Sequence, residues 1–424
     1  MNVFSNAFKY TTSTPSVPVG ITHINVISCS NDIALPSSVT HMMLSCNQSI
    51  LEYITIPHGI THVYMMAEFD VPIILPDTVV CLRMGYDFNQ PIILPPNLHK
   101  LTMGGSFNQS IILPPHLKYL ECGTDFNQPI TFPDGLKKLI ISDCFNQPNI
   151  ILPQSLIYLQ MGIIFNHPIT FSENIEHLEF SSCFNQPHVI LPPRLKKLKM
   201  GCRFNKDIIF PDTLEDLCLG HDFNKRIVFP PNLLTFDMGW TFNQLDIPIP
   251  LTVTRLNISH YLNMPITLPS HLKYLNTGNN FNQPIVLPDT IENVIFGYYY
   301  NQPTIFPDGI QKIFFGKHYN QPTIFPSSLY EISFGGMYNQ PTVLPTYLKK
   351  VFFSEIYNQP TTQLPPYLSE FWFGFGDYLP FRDQLLCNYN IIYITDGSVC
   401  ETAHTDNNKH NILWKSTSLL ELLI

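Results

Sequence analysis

A four-residue phrase, Phe-Asn-Gln-Pro or a close variant, recurs along the chain every 19 or 20 residues, with one occurrence skipped. The phrase starts with Phe at first and with Tyr toward the C-terminus. Its first residues are Phe88, Phe107, Phe126, Phe145, Phe165, Phe184, Phe204, Phe223, Phe242, Phe281, Tyr300, Tyr319, Tyr338 and Tyr357. A period near 20 residues is typical of solenoids, in which a short unit stacks on its copies. The period therefore predicts a long binding surface rather than chemistry in one pocket.

Each repeat contains a segment with the pattern of a short β-strand that buries one face. In the repeat from Leu117 to Gly135, the apolar residues Leu120 and Cys122 alternate with Tyr119 and Glu121. This period of two predicts a strand. The frame Leu-x-x-Leu-x-apolar fits the chain nineteen times, which predicts nineteen strands. The frames begin at residues 21, 39, 60, 79, 98, 117, 136, 156, 175, 195, 214, 233, 253, 272, 291, 310, 329, 348 and 368.

The remainder of each repeat returns the chain to the next strand, and we call this segment the return arm. Pro129 and Pro133 fix φ and lack an N–H donor, so the arm is expected to be extended and not helical. Its apolar residues Ile130 and Phe132 are expected to point into the core. Three arms carry one extra residue, within 147–150, 186–189 and 359–362. We expect a bulge there that leaves the strand pairing intact.

The aromatic–Asn pair is predicted to be structural. A turn inside a stack removes backbone N–H and C=O groups from water, and these groups then need hydrogen-bond partners. An asparagine amide offers two donors and an acceptor, so stacked asparagines can connect the turns of successive repeats. The preceding rings are expected to form an aromatic spine. The predicted structural ladder consists of Asn89, Asn108, Asn127, Asn146, Asn166 and Asn185.

Composition narrows the classes of partner. Hydrophobic residues make up 45% of the 424 residues and charged residues 13%, so the chain has enough core material for a folded array. The net charge is −9 and there is no run of Lys or Arg, which argues against nucleic acid as a partner. The sequence shows no secretory signal. It also has no apolar segment of the roughly 18–20 residues that a membrane span needs, so no membrane partner is expected.

The cysteines indicate a reducing compartment. The ten cysteines fall at different phases of the repeat and form no Cys-x-x-Cys pair. A disulfide or zinc framework would be expected to recur with the repeat. We therefore expect reduced thiols and a cytoplasmic location, with the nucleus as the other compartment that fits.

The short period, the Phe-Asn and Tyr-Asn phrases and segments such as Leu94–Leu101 together resemble the FNIP repeat. This relative of the leucine-rich repeat is abundant in social amoebae and in giant viruses that infect amoebae. The resemblance covers residues 21–378, although Gln90 and its equivalents stand where the family name has Ile. It implies a mostly β, right-handed, leucine-rich-repeat-like solenoid of about 19 short parallel strands. The sheet would lie on the concave face and the convex face would be poor in helix. A viral origin would place the protein in the host cytoplasm.

FNIP-repeat proteins often carry an N-terminal F-box that docks them to a ubiquitin ligase scaffold. The first predicted strand begins near Ile21, and the preceding residues are too few for a helical F-box. We therefore favour a non-enzymatic scaffold that binds a partner protein on the concave face. The alternative is a substrate-recognition adaptor of a ubiquitin ligase that docks through a non-standard terminus.

The third and fifth residues of each frame are expected to face outward, and two groups of them are candidate partner-binding sites. Toward the C-terminus the fifth residue is large and apolar, apart from Ser333, and exposed apolar surface often marks an interface. Covering by residues 379–424 is the alternative. The other group is basic, although interleaved acidic residues also fit a solvated face. The candidates are Ile295, Phe314, Phe352, Trp372, Lys138, Lys197 and Lys199.

No residue pattern indicates catalysis or a bound cofactor. His23, His41 and His62 share one column on adjacent strands, but a straight column at a spacing of about 4.8 Å fits tetrahedral zinc poorly. The motifs G-x-S-x-G, HExxH and the P-loop are missing from the sequence. We predict no catalytic residue, no cofactor and no metal site. The oligomeric state stays open, because an uncapped edge strand can pair with a second copy.

The chain divides into an N-terminal cap (1–20), a repeat solenoid (21–378) and a C-terminal cap and tail (379–424). The N-terminal residues are expected to shield the open edge of the first strand. The segment Asn390–Thr395 has the pattern of a final irregular strand. The segment Ile412–Ile424 is expected to form a short capping helix, with a free apolar tail that docks elsewhere as the alternative.

Overall fold

The computed structural model describes residues 7–11, 16–27, 35–45, 54–244, 248–354, 356–359, 364–373, 389–395, 398–402 and 410–413. From residue 370 onward it describes the backbone alone. The chain divides into two compact units, Met1–Leu214 and Glu215–Ile424, which we call unit 1 and unit 2. The described residues contain strands, turns and extended segments and no helix.

Unit 1 contains thirteen short strands. They are β1 (Phe8–Tyr10), β2 (His23–Val26), β3 (His41–Leu44), β4 (Ile54–Thr55), β5 (His62–Met65), β6 (Ile73–Ile74), β7 (Cys81–Arg83), β8 (Lys100–Thr102), β9 (Tyr119–Glu121), β10 (Lys138–Ile140), β11 (Tyr158–Gln160), β12 (His177–Glu179) and β13 (Lys197–Lys199). All except β4 and β6 form one parallel sheet in chain order. Strands β4 and β6 pair with each other, also in parallel.

Unit 2 contains a second run of nine parallel strands and a small C-terminal sheet. The parallel strands are β14 (Asp216–Cys218), β15 (Thr235–Asp237), β16 (Arg255–Asn257), β17 (Tyr274–Asn276), β18 (Asn293–Ile295), β19 (Lys312–Phe314), β20 (Glu331–Ser333), β21 (Lys350–Phe353) and β22 (Glu370–Phe373). In the small sheet, β23 (Tyr389–Thr395) pairs antiparallel with β24 (Ser398–Thr402) and parallel with β25 (His410–Leu413).

Each strand buries one face because apolar and polar side chains alternate along it. In β9, Leu120 is fully buried, whereas Tyr119 and Glu121 on either side are only partly buried. The parallel register places Leu120 opposite Leu101 on one side and Leu139 on the other. Leucines of successive repeats therefore stack into a continuous apolar row, which is the core of the solenoid.

A tight turn follows each strand and begins the return arm. The ring of Phe126 is fully buried and stacks on its neighbours one repeat away, with centroids 6.2 and 6.3 Å apart. A Cβ at Gly123 would overlap the carbonyl oxygen of Gly104 in the preceding repeat. Glycine is needed there because the backbones of adjacent repeats approach closely. In the arm, Phe132 is buried and Ile130 is partly buried.

The predicted fold class, a mostly β solenoid of the leucine-rich-repeat type, is confirmed. Each of the nineteen frames contains a strand that begins at its third residue. Two inserted arm residues, Asn149 and His188, adopt left-handed conformations with φ of 59° and 58°. The third insertion lies outside the described residues.

Two terminal features differ from expectation. Strand β1 was not among the predicted strands, and it pairs in parallel with β2. At the other terminus, strand β25 includes Ile412 and Leu413, where a helix was expected to begin. That prediction is wrong for these two residues because they pair with β23, and residues 414–424 lie outside the described part.

Candidate protein-binding surfaces

The outward-facing side chains of the two runs of parallel strands contain the predicted binding residues other than Trp372, and we call this surface the sheet face. Each strand contributes its first and third residues, while the residue between them is buried. Register places each outward residue beside its equivalent one repeat away. Two columns of side chains therefore cross the strands of each unit.

In unit 1 the first column alternates cationic and aromatic side chains, and we call Lys100, Tyr119, Lys138, Tyr158 and His177 the cation–aromatic ladder. The ammonium of Lys100 lies 4.7 Å from the Tyr119 ring centroid, and that of Lys138 lies 4.1 Å from the Tyr158 centroid. The rings of Tyr158 and His177 are 4.4 Å apart. Both cation–ring distances are within the range of about 6 Å for cation–π attraction. Neighbouring side chains therefore hold one another in place.

Two carboxylates of the second column fix the tyrosines of the ladder. The hydroxyl of Tyr119 donates to Glu121 at 2.8 Å, and that of Tyr158 donates to Glu179 at 3.1 Å. Burial and the adjacent carboxylate raise the pKa of each tyrosine to about 12. Both hydroxyls therefore remain protonated donors at physiological pH.

The three predicted lysines lie on the same face but not side by side. Lys138 is partly buried on β10, and Lys197 and Lys199 are exposed on β13, three strands away. The ammonium of Lys199 lies 3.7 Å from the carboxylate of Glu179. Such an ion pair contributes little to stability, and the carboxylate offsets part of the charge of Lys199.

A polar recess of about 190 Å³ opens beside the ladder, and its lining includes Tyr64, Cys81, Arg83, Lys100 and Glu121. Its volume is below the range of about 300–1,000 Å³ that is usual for small-molecule sites. Burial raises the pKa of the Cys81 thiol, so the thiol is mostly protonated and is a poor nucleophile.

In unit 2 the second column becomes apolar toward the C-terminus. Ile295, Phe314, Ser333 and Phe352 are neighbours in register, and the three apolar side chains are partly buried. Ser333 is only 3% exposed, so the prediction that it faces solvent is wrong. Its short side chain lies between two phenylalanines, and we call this arrangement the Phe-Ser-Phe notch. Trp372 follows Phe352 in register, but its side chain lies outside the described part.

The histidines of β2, β3 and β5 form a stack. The ring of His41 lies 4.2 Å from those of His23 and His62, centroid to centroid. Burial and the neighbouring imidazoles lower the pKa of His41 to about 4. This histidine is therefore neutral at physiological pH. Within the described residues, no group of three or more His, Cys, Asp or Glu side chains is placed to hold a metal ion.

The predicted asparagine ladder lies at the turns of unit 1. The Oδ1 of Asn89 accepts the backbone N–H of Asn108 at 2.9 Å, and Gln109 Nε2 donates to the Asn89 carbonyl oxygen at 3.1 Å. At the start of the ladder, Asp70 accepts the Asn89 N–H at 2.9 Å. The same backbone contact is made by Asn127, Asn146, Asn166 and Asn185, each to the preceding asparagine, at 2.9, 2.9, 3.4 and 3.0 Å.

The sequence analysis missed a groove of about 560 Å³ at the turns of unit 2. Its lining includes Tyr299, His318, Met337 and Ile356, each of which precedes a Tyr-Asn phrase. In the first four phrases that position is Asp, Ser or Cys. The change from small or polar residues to large side chains at this position was the sequence signal that could have located the groove.

Among the described residues, no helix is long and apolar enough to cross a membrane.

Comparisons with known proteins agree with this geometry. The FNIP repeat family matches residues 88–125, 126–162, 165–203, 262–299 and 300–337. The chain is similar to CroV588 from a giant virus, whose crystal structure is described as a novel circular LRR protein structure. The two sequences are 25% identical, and the match covers 93% of this chain and 79% of CroV588, with a TM-score of 0.57. YopM from Yersinia enterocolitica WA-314 is similar in fold, with 18% identity, coverages of 81% and 86%, and a TM-score of 0.53. The comparison with curated protein sequences gave no match.

Proposed function

Since this chain is an FNIP-repeat protein with the fold of leucine-rich-repeat proteins, we propose that it is a non-enzymatic scaffold whose sheet face binds a partner protein. Repeat solenoids typically bind through extended surfaces built from many units. The proposal assigns the main contact to the Phe-Ser-Phe notch of unit 2, with the cation–aromatic ladder of unit 1 as a second contact.

The notch is the observation that carries the proposal. Phe314 and Phe352 stand two strands apart, about 10 Å, and flank the buried Ser333. Both phenyl rings remain partly exposed. Binding energy at protein interfaces concentrates on aromatic side chains that lose contact with water in the complex, and an apolar partner side chain placed across both rings would remove them from water.

The ladder supports the proposal through its rigidity and charge. Its rings are already held by lysines and by the carboxylates Glu121 and Glu179, so binding would cost little additional side-chain entropy. Lys138, Lys197 and Lys199 would attract an acidic partner and raise its association rate. The net charge of −9 favours a protein over nucleic acid as that partner.

The decisive experiment compares three variants in capture from extract of the native cell, followed by affinity measurements with the purified partner. Phe352→Ser and Phe314→Ser each remove one of the two partly exposed phenyl rings of the notch. Met337→Ser changes the turn groove and is the matched control. We expect the first two variants to lower the affinity at least about tenfold, while Met337→Ser binds normally.

Thermal unfolding of each variant separates loss of binding from loss of fold. Phe314→Ser and Phe352→Ser shorten side chains that are only partly buried, so both variants should fold normally. If the partner binds all three variants with equal affinity, the assignment of the main contact to the notch is wrong. Ubiquitin ligase components retained by every variant would support the adaptor alternative, with docking elsewhere on the chain.

We also propose that the protein acts in a reducing compartment, the cytoplasm. Cys81, Cys122, Cys144, Cys183 and Cys202 are free thiols. Unpaired cysteines at this number are typical of proteins in a reducing compartment, because oxidising compartments favour disulfides.

A further inference from the structure

The polar recess beside the cation–aromatic ladder has more positive than negative charge. Its lining contains the guanidinium of Arg83 and the ammonium of Lys100 but one carboxylate, that of Glu121. Arg83 lies on β7 and Lys100 on β8, and these two strands pair directly. Adjacent strands are about 4.8 Å apart, so the two cations line one small space from neighbouring strands.

No carboxylate neutralises either cation. Within the part of the chain that the structure describes, Arg83 and Lys100 form no ion pair. Elsewhere on the sheet face, the ammonium of Lys312 lies 2.9 Å from the carboxylate of Glu331 on the next strand. The ammonium of Lys100 instead faces the ring of Tyr119. Both charges of the recess are therefore available to an anion.

The carboxylate of the recess is held by uncharged donors. Glu121 Oε2 accepts hydrogen bonds from the Tyr119 hydroxyl at 2.8 Å and from the Thr102 hydroxyl at 3.4 Å. The carboxylate is therefore fixed in place without either cation. Two positive groups and one negative group give the lining a net charge of +1.

The remaining polar groups of the recess add no negative charge. Burial raises the pKa of the Tyr64 hydroxyl, and the charge of Arg83 offsets part of that rise. Burial also raises the pKa of the Cys81 thiol, and the charge of Lys100 offsets part of it. Both groups stay mostly protonated at physiological pH. Charges farther than about 8 Å are largely screened, so the groups that line the recess dominate the field inside it.

We propose that the recess binds a phosphate group on a side chain of the partner protein, which rests on the proposed function of the sheet face. A phosphorylated side chain carries about −1.5 to −2 charges at pH 7, so it gains more from a positive recess than a carboxylate does. The planar guanidinium of Arg83 can bind two phosphate oxygens, and Lys100 can bind another. A volume of about 190 Å³ suits one such group rather than a whole small molecule.

The site is tested first with a small probe, N-acetyl-O-phosphoserine N-methylamide, titrated with the full chain and followed by phosphorus NMR. We expect Arg83→Gln and Lys100→Gln each to lower the affinity for the probe at least about tenfold. Glu121→Gln removes the negative charge, keeps an acceptor for Tyr119 and should raise the affinity. Lys118→Gln removes an exposed cation outside the recess and is the matched control, which should bind normally.

The partner provides the second test. Phosphatase treatment of the captured partner should weaken its binding to wild type at least about tenfold and leave its binding to Arg83→Gln unchanged. Phe352→Ser should weaken binding of both the phosphorylated and the dephosphorylated partner, so the recess and the notch fail or succeed separately. Thermal unfolding of each variant separates loss of binding from loss of fold.

Four outcomes would overturn the proposal. The probe could fail to bind wild type, or phosphatase treatment could leave the affinity of the partner unchanged. Inorganic phosphate that binds at least about tenfold more tightly than the probe would assign the recess to free phosphate. Vesicles containing phosphatidic acid that bind wild type and not Arg83→Gln would assign it to a lipid headgroup.

Discussion

At the scale of the residue, the asparagine at each turn connects successive repeats. The backbone N–H of the asparagine at one turn donates to the Oδ1 of the asparagine in the preceding repeat. The contact recurs in unit 2, where Asn282 accepts from Asn301 and Asn301 accepts from Asn320, both at 2.9 Å. The glutamine that follows donates to the same asparagine. The most repeated polar residues of the chain are therefore structural.

Removing one amide of the ladder should measure this role. In Asn127→Ala, the Asn146 N–H and the Gln147 amide lose their shared acceptor. Because water can reach the Asn146 N–H, this should lower the free energy of unfolding by about 0.5–1.5 kcal/mol. Asn127→Asp keeps an acceptor, as Asp70 does naturally, and should lose less. Urea unfolding followed by circular dichroism gives both values. Equal losses in the two variants would refute the assigned hydrogen bonds.

The histidine stack makes stability depend on pH. The pKa of His41 is lowered to about 4 in the folded chain, against an ordinary value of about 6.5. As pH falls, the unfolded chain binds this proton first, so stability is fully present above about pH 6.5 and is lost between about pH 6.5 and 4. The melting temperature of His41→Asn should therefore fall less than that of wild type between about pH 7 and pH 5. If the melting temperatures of His41→Asn and wild type fell equally, the pH dependence would come from another group than His41.

At the scale of the element, each turn is matched to the return arm that follows it. Where the turn ring is Tyr, the arm supplies threonine four residues later, and the hydroxyls of Tyr319 and Thr323 lie 2.5 Å apart. Those of Tyr338 and Thr342 are 2.6 Å apart. Where the ring is Phe126, the same arm position is apolar Ile130. The two repeat types differ at both positions because a buried hydroxyl needs a partner.

A double-mutant cycle tests this match. Thr323→Ile leaves the buried Tyr319 hydroxyl without its partner and should cost about 1–3 kcal/mol in free energy of unfolding. Adding Tyr319→Phe converts the repeat to the Phe126–Ile130 type, and the double variant should return to within about 0.5 kcal/mol of wild type. Additive losses in the double variant would contradict the pairing.

The strands and arms were predictable because their signals lie within one repeat. Alternation gave strand β9 and its equivalents, and Pro129 and Pro133 indicated an extended arm. Exposure was harder to predict, because the side chains one repeat away set it, 19 or 20 residues along the chain. Ser333 is buried by its neighbours Phe314 and Phe352, and the exposure of Ile305 follows from how arms stack. The sequence therefore predicted which face of the sheet carries the candidate site, whereas the burial of Ser333 between the two phenylalanines could be seen only in the structure.

At the scale of the whole molecule, regularity separates support from recognition. Residues that repeat, such as the leucines, turn rings and asparagines, hold neighbouring units together. Residues that vary on an exposed surface are free to recognise partners. The Phe-Ser-Phe notch and the cation–aromatic ladder lie on such surfaces. Partner binding is therefore assigned to positions where the repeat departs from uniformity.

The most direct test of the central claim is site-specific photo-crosslinking with the captured partner. A photoreactive phenylalanine replaces Phe314 on the sheet face, and the same residue replaces Met337 at the turn groove as the control. The account predicts crosslinks to the partner from position 314 and none from position 337. Crosslinks from position 337 alone, with the partner still bound to both proteins, would contradict it.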